Sequence, residues 1–237
     1  MTSPAIKNID TREKAKFDAL ASSWWDTDGP FKTLHDINPI RLQYIKRHAS
    51  LAGKNVLDIG CGGGILSEVL AKEGASVTGL DISEPLLNIA RLHSQQSNLD
   101  ICYCNATSEE YALKSNHAFD VITCMELLEH VPNPQSIIKA CAVLLKPGGQ
   151  AFFSTINRTL KAYLYAVLGA EHLLHLLPVG THDYSRFIRP SEIDSWCQKN
   201  GLRITDLAGI SYLPFINRFT INKNPDVNYL IHCQRKT

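Results

Sequence analysis

The chain reads as an α/β fold: a seven-stranded, mostly parallel sheet with helices on both faces. Three observations predict it. Short apolar runs alternate with helical patterns between residues 55 and 156. A glycine loop joins the first apolar run to the first of those helical patterns. The last two apolar runs have no helix between them, which suits an antiparallel C-terminal edge hairpin. A helical cap precedes the sheet.

The elements follow in chain order. Phe17, Leu20, Ala21 and Trp24 recur at i, i+3, i+4 and i+7, which predicts a helix over 11–25. Gly29, Pro30 and Pro39 break that pattern, and a second helix is expected over 40–48. "NVLDIG" is a strand, "GILSEVLAKEG" a helix, "SVTGLDI" a strand, "EPLLNIARLHSQQ" a helix, and "LDICYCNA" and "FDVITCM" are strands. "PQSIIKACAVLL" is a helix, "KPGG" a turn and "QAFFSTI" a strand. Such alternation implies right-handed crossovers that cover both faces of a parallel sheet. "LRITDLAGISY" and "VNYLIHCQRK" complete the seven strands.

At 237 residues the chain suits one domain. Residues 1–52 form the helical cap, 53–158 the cofactor-binding core, 159–183 an apolar insert, and 184–237 a C-terminal helix with the edge strands. A formal charge of +1 gives no electrostatic ground for a nucleic-acid partner. The N-terminus has no apolar core of the signal-peptide kind. Seven cysteines without zinc-type C-x-x-C pairs fit a reducing compartment. A cytoplasmic protein is expected.

"VLDIGCGGG" places Gly60, Gly62 and Gly64 between a strand and a helix, where glycine lets the backbone turn sharply and approach a ligand. A tight turn alone would also explain them. Asp81 ends the next strand, at the distance where such folds place an acid on ribose hydroxyls. A dinucleotide fingerprint wants glycine or alanine at its sixth position; counted from Gly60, that position is Ile65. Asp58 also suits an ammonium better than a pyrophosphate. S-adenosylmethionine, with an adenosine and an ammonium-bearing methionyl arm, fits this pattern better than a nicotinamide cofactor.

"VLDIGCGGG", "VTGLDIS", "FDVITCMELLEHV" and "LLKPGGQAFFST" together resemble the successive motifs of the Rossmann-like class I methyltransferases. "FDALASSWWDTDGPFKTLHDINPIRLQYI", "CMELLEHVPNPQS" and "GTHDYSRFIRPSE" are similar to the ubiquinone-biosynthesis O-methyltransferases, over nearly the whole chain. The resemblance implies that Arg41 meets the cofactor carboxylate, Gly60 lines the methionyl arm, Asp81 the ribose and Met125 the adenosine. Gly62 and Asp58 complete the cofactor set. Taken alone, Arg41 would be a solvated helix charge and Met125 a core residue. Asn105 stands where many class I methyltransferases carry an adenine-binding Asp.

After "FDVITCM" come Glu126, Glu129 and His130, at i, i+3 and i+4, so one helical turn would set all three on a single face. Ligands bind such sheets beyond the carboxyl ends of their strands. In one reading His130 is a general base for a phenolic proton. In the other, Glu126, Glu129 and His130 bind a divalent metal; the resemblance favours Mg2+, and the imidazole admits a transition metal such as zinc. A neutral phenol, with a pKa near ~10, is a poor nucleophile, so either device answers a chemical need.

The resemblance implies O-methylation of polyprenylated phenols and quinols: 2-polyprenyl-6-hydroxyphenol and 3-demethylubiquinol. Another catechol-like acceptor, or a non-catalytic role in a ubiquinone-biosynthesis enzyme complex, are the alternatives. Residues 160–177 are largely apolar but interrupted by Lys161, Glu171, His172 and His175, too polar for a spanning helix. They suit a buried helix, a lid, or an interfacial helix against anionic lipids on the inner face of the cell membrane. Trp24, Trp25, Phe31 and "PFINRF" are aromatic candidates for a pocket roof, and core packing explains them as well.

Overall fold

A computed structural model describes residues 8–164, 183–213 and 218–236. The helices and strands run α1 (Thr11–Ala19), α2 (Lys32–His48), β1 (Asn55–Ile59), α3 (Ile65–Lys72), β2 (Ser76–Asp81), α4 (Glu84–Gln96) and β3 (Ile101–Asn105). They continue with α5 (Ser108–Ala112), β4 (Phe119–Met125), α6 (Pro134–Leu144), β5 (Leu145–Ile156), α7 (Leu160–Tyr163) and α8 (Pro190–Lys199). β6 (Leu202–Leu213), β7 (Arg218–Asn222) and β8 (Asn228–Arg235) complete the order.

The strands form one eight-stranded sheet in the order β3-β2-β1-β4-β5-β8-β6-β7. The first five are parallel, and β8, β6 and β7 are antiparallel. Alternate residues feed opposite faces. Leu57, Ile122 and Phe153 pack with Ile137, Ile138 and Ile193 on the side of α6 and α8. Val56, Val121 and Phe152 pack with Ile45, Leu66 and Leu70 on the side of α2 and α3. Burying both faces is what makes these strands near-continuous apolar runs.

Four local expectations are corrected. Among the described residues the sheet has eight strands, not seven: β7 forms the edge hairpin with β6, while β8 lies inside the sheet between β5 and β6. Pro39 lies within α2, which begins at Lys32, eight residues before the expected start. Its missing N–H removes one ladder bond, to the His35 carbonyl, but buried Ile37, Arg41, Tyr44 and Ile45 anchor the helix on both sides. α1 stops at Ala19, and Ala21–Ser23 continue as a 3-10 turn. "KPGG" is not a free turn, since β5 starts at Leu145 and absorbs Gly148, at φ +75°, in an irregularity against β4.

The apolar insert lies mostly outside the described residues. Its first turn, Leu160–Tyr163, leaves Leu160 70% exposed. Among the described residues no helix is long and apolar enough to cross a membrane.

Candidate functional site

A cavity of about 840 Å³ opens at the carboxyl ends of the parallel strands, roofed by α1, the start of α2 and the β6–β7 hairpin. All nine predicted site residues line it. Arg41, Asp58, Gly60, Gly62 and Asp81 stand at the β1–β2 end; Met125, Glu126, Glu129 and His130 follow β4.

The chain reverses twice after β1, with Gly60 at φ +73° and Gly62 at φ +54°. Side chains other than glycine rarely adopt that left-handed geometry. A Cβ on Gly62 would also lie 2.3 Å from Trp24 Cζ2, so the cap is seated directly on this loop. Trp25 Nε1 donates to the Gly63 carbonyl at 2.9 Å, and its ring stacks on His93. Trp24 packs over the glycine loop against Phe17 and Phe31 in a buried cluster, as core packing explains, and most of "PFINRF" lies outside the described residues.

Asp81 accepts from the Gly62 and Ser83 backbone N–H groups, at 2.9 and 2.8 Å, which fixes its carboxylate at the cavity wall. Desolvation raises its pKa against those two bonds. Asp58 is buried, with Ser67 Oγ donating at 2.6 Å and Thr123 Oγ1 at 2.7 Å. Burial lifts it to about 6, against the pull of both hydroxyls and of Arg41. Arg41 is buried; its Nη2 lies 3.1 Å from Glu126 Oε1, and its Nε has no hydrogen-bond partner among the described residues. A buried guanidinium N–H without an acceptor is costly, so the cavity offers a place for an anionic group. Asn105 is exposed at the end of β3, its Nδ2 3.4 Å from the Asp81 carbonyl, and does not line the cavity.

The predicted helical turn after β4 does not form. Glu126 takes φ +50°, a strained backbone for a non-glycine residue, and Leu128–His130 make a 3-10 turn. The three side chains therefore find separate partners. Glu126 accepts from Ser154 Oγ at 2.6 Å and pairs with Arg41. Glu129, buried, accepts from Thr155 Oγ1 at 2.8 Å, and burial with the nearby Glu126 lifts it to about 7. His130 Nδ1 lies 2.8 Å from Glu13 Oε2, with the Phe17 ring edge-on. Burial works against the His130 cation, but the Glu13 hydrogen bond and the carboxylates of Glu129, Glu13 and Glu126 outweigh it and raise its pKa.

Among the described residues no three His, Cys, Asp or Glu side chains are gathered as metal ligands. The metal set of Glu126, Glu129 and His130 does not fit this arrangement. Glu126 is engaged by Arg41 and Ser154 and Glu129 by Thr155, so the three side chains do not converge on one point, although His130 keeps Nε2 open with its Nδ1 on Glu13. Sequence reading also missed Glu13, Asp18 and Ser83; Asp18 Oδ1 accepts from Ser83 Oγ at 2.5 Å beside the Asp81 loop. No local pattern marks them, because their partners lie 65 to 117 residues away.

The parallel core, its antiparallel extension and an acid-lined cavity at the strand ends define a class I methyltransferase fold. A family model for a methyltransferase domain matches residues 34–207. The fold also resembles magnesium protoporphyrin IX methyltransferase of Synechocystis, solved with bound SAH, at a TM-score of 0.69 and 18% identity over 94% of this chain and 96% of that one. Curated relatives are much nearer. The ubiquinone biosynthesis O-methyltransferase of Nitrosococcus oceani is 55% identical over 97% of both chains. That of Stutzerimonas stutzeri is 52% identical over 98% of this chain and all of its own, and that of Aromatoleum aromaticum 56% identical over 96% and 97%. The chain belongs to the family of ubiquinone biosynthesis O-methyltransferases.

Proposed function

We propose that the cavity binds S-adenosylmethionine at its β1–β2 end and that the His130 turn takes a proton from a phenolic acceptor at the other. One observation carries this reading: the buried Arg41 Nε, without an acceptor among the described residues, Asp58 and Asp81 line the same cavity as the Glu13-bound His130. Arg41 suits a carboxylate, Asp58 an ammonium and Asp81 a ribose diol. One guanidinium and one acid match the two charges of an amino-acid arm, and the second acid can accept hydrogen bonds from the neutral hydroxyls of a nucleoside. Gly60, Gly62 and Met125 shape the wall they share.

S-adenosylmethionine supplies an electrophilic methyl group: attack by the phenolate oxygen forms the C–O bond and breaks the C–S bond, its electron pair remaining on a neutral sulfur. The chain's task is to make the phenolate. Glu13 is held as a carboxylate, at about 2, chiefly by the His130 hydrogen bond, so it can only accept and His130 Nδ1 must carry hydrogen. Nε2 is then the nitrogen left to receive the phenolic proton, as in triad-type bases. Glu129 and Glu126 favour the imidazolium that results. A nearby sulfonium stabilises the phenolate and lowers the pKa of the acceptor.

The acceptor is inferred to be a polyprenylated phenol or quinol of ubiquinone synthesis. Leu160 and Leu164, 70% and 45% exposed, flank Tyr163, which packs on Tyr184, at the start of the apolar insert and support collection of that lipid at the inner membrane surface. The testing experiment incubates the protein with S-adenosylmethionine and a prenylated catechol. An O-methyl ether formed in step with S-adenosylhomocysteine supports the reading; cofactor binding without any acceptor methylated leaves a non-catalytic role.

A further inference from the structure

The base at His130 is completed from the far end of the chain. Its Nδ1 partner, Glu13, lies 117 residues earlier, on α1. α1 has no fully buried residue, and its apolar contact is the half-buried Phe17, which packs against Trp24 and the His130 ring. Its polar contacts reach three parts of the molecule. Asp10, its N-cap, receives Arg186 Nη2 at 2.5 Å. Glu13 meets His130. Asp18 receives Ser83 Oγ, and the Ser83 N–H donates to Asp81. Lys16 Nζ lies 2.8 Å from the other Glu13 oxygen, which fixes the carboxylate's rotation.

We propose that Glu13 is the positioning residue of the methyl transfer, carried on a helix that spans from the Asp81 loop to His130 and so holds the imidazole in its reactive tautomer only while the cap is seated. The inference rests on the assignment of His130 as the proton acceptor. Without the Glu13 carboxylate, neither the Nδ1–H tautomer nor the ring's rotation is specified, and Nε2 is unprotonated and aimed at the acceptor only part of the time. Seating of α1 against Ser83 links the nucleoside end of the cavity to that orientation.

The test compares Glu13→Gln, Glu13→Asp, His130→Ala, the Glu13→Gln/His130→Ala double variant and Arg186→Gln, all as full chains with S-adenosylmethionine and a prenylated catechol. Glu13→Gln is expected to lower kcat by roughly tenfold or more, with the cofactor Kd within about twofold of wild type. Glu13→Asp should recover part of that loss, because it keeps the acceptor. In the His130→Ala background, Glu13→Gln should cost nothing further. Arg186→Gln removes the ion pair at the Asp10 N-cap while leaving the Glu13–His130 and Asp18–Ser83 bonds that seat the helix, and should leave kcat nearly unchanged. The inference is overturned if Glu13→Gln turns over like wild type while His130→Ala does not. It is equally overturned if the Glu13→Gln loss persists without His130, or if Arg186→Gln reproduces it. Wild-type turnover by His130→Ala removes the base assignment itself, and this inference with it.

Discussion

Asp58 on β1 and Thr123 on β4 are register partners in the parallel ladder, and Thr123 Oγ1 donates to Asp58 Oδ1 at 2.7 Å. The bond orients a buried carboxyl whose pKa burial has raised from 3.8 to about 6. Neutral pH leaves it ionised and able to receive an ammonium.

A pH dependence of cofactor binding follows. Below about 6 the free protein binds a proton at Asp58, which a cationic ligand must displace. Affinity therefore falls with falling pH, by at most about tenfold per unit. Above ~8 the ligand's own α-amino group loses its charge, so affinity peaks between. Isothermal titration across pH 5 to 9 measures both limbs. Asp58→Asn should flatten the acid limb; an unchanged acid limb in that variant would contradict the role given to Asp58.

The Arg41–Glu126 pair ties α2 to the turn after β4 across 3.1 Å, with Arg41 only 5% exposed. Removing one partner strands the other. Arg41→Leu is expected to cost about 3 kcal/mol of stability, and Arg41→Leu with Glu126→Gln clearly less. Urea denaturation reads both. The same Arg41 variant should weaken S-adenosylmethionine binding by roughly tenfold or more, since charge-assisted hydrogen bonds contribute about 1.5–3 kcal/mol. Losses from Arg41→Leu and Glu126→Gln that simply add in the double variant would show that the pair is not coupled.

Gly62 carries both a left-handed φ and the Trp24 ring at 2.3 Å from its missing Cβ. Gly62→Ala should destabilise the protein by about 2 kcal/mol or more and unseat the cap. Trp24→Ala on that background should restore part of the thermal stability. A Gly62→Ala variant as stable as wild type would mean that the cap does not rest on this loop.

The sequence was most legible where one interaction dominates. β4 and α4 match their predicted bounds, because Val121, Ile122 and Cys124 are buried on both faces and the Ser83 side chain caps α4 ahead of a Pro in its first turn. The cavity residues were legible because acids at the carboxyl ends of parallel strands face the ligand crevice. α5 was missed although "TSEE" is a capping-box pattern, with Thr107 and Glu110 bonding reciprocally. β7 was missed although Phe219 and Ile221 alternate against the core, because Pro214 and three nearby asparagines (Asn217, Asn222 and Asn224) read as loop. Pro39 misled because tertiary burial outweighed its local cost. The turn after β4 misled more deeply. Glu126 takes a left-handed φ where Ser154 binds both its backbone N–H and its carboxylate. No spacing rule anticipates that, and it separates the three side chains that helical geometry would have gathered.

The most direct measurement is single-turnover methyl transfer from methyl-labelled S-adenosylmethionine to a prenylated catechol by His130→Ala, alongside the cofactor Kd. The expected result is a rate lowered roughly a hundredfold or more with cofactor affinity within about twofold of wild type. Label reaching the catechol oxygen at the wild-type rate would contradict proton removal by His130.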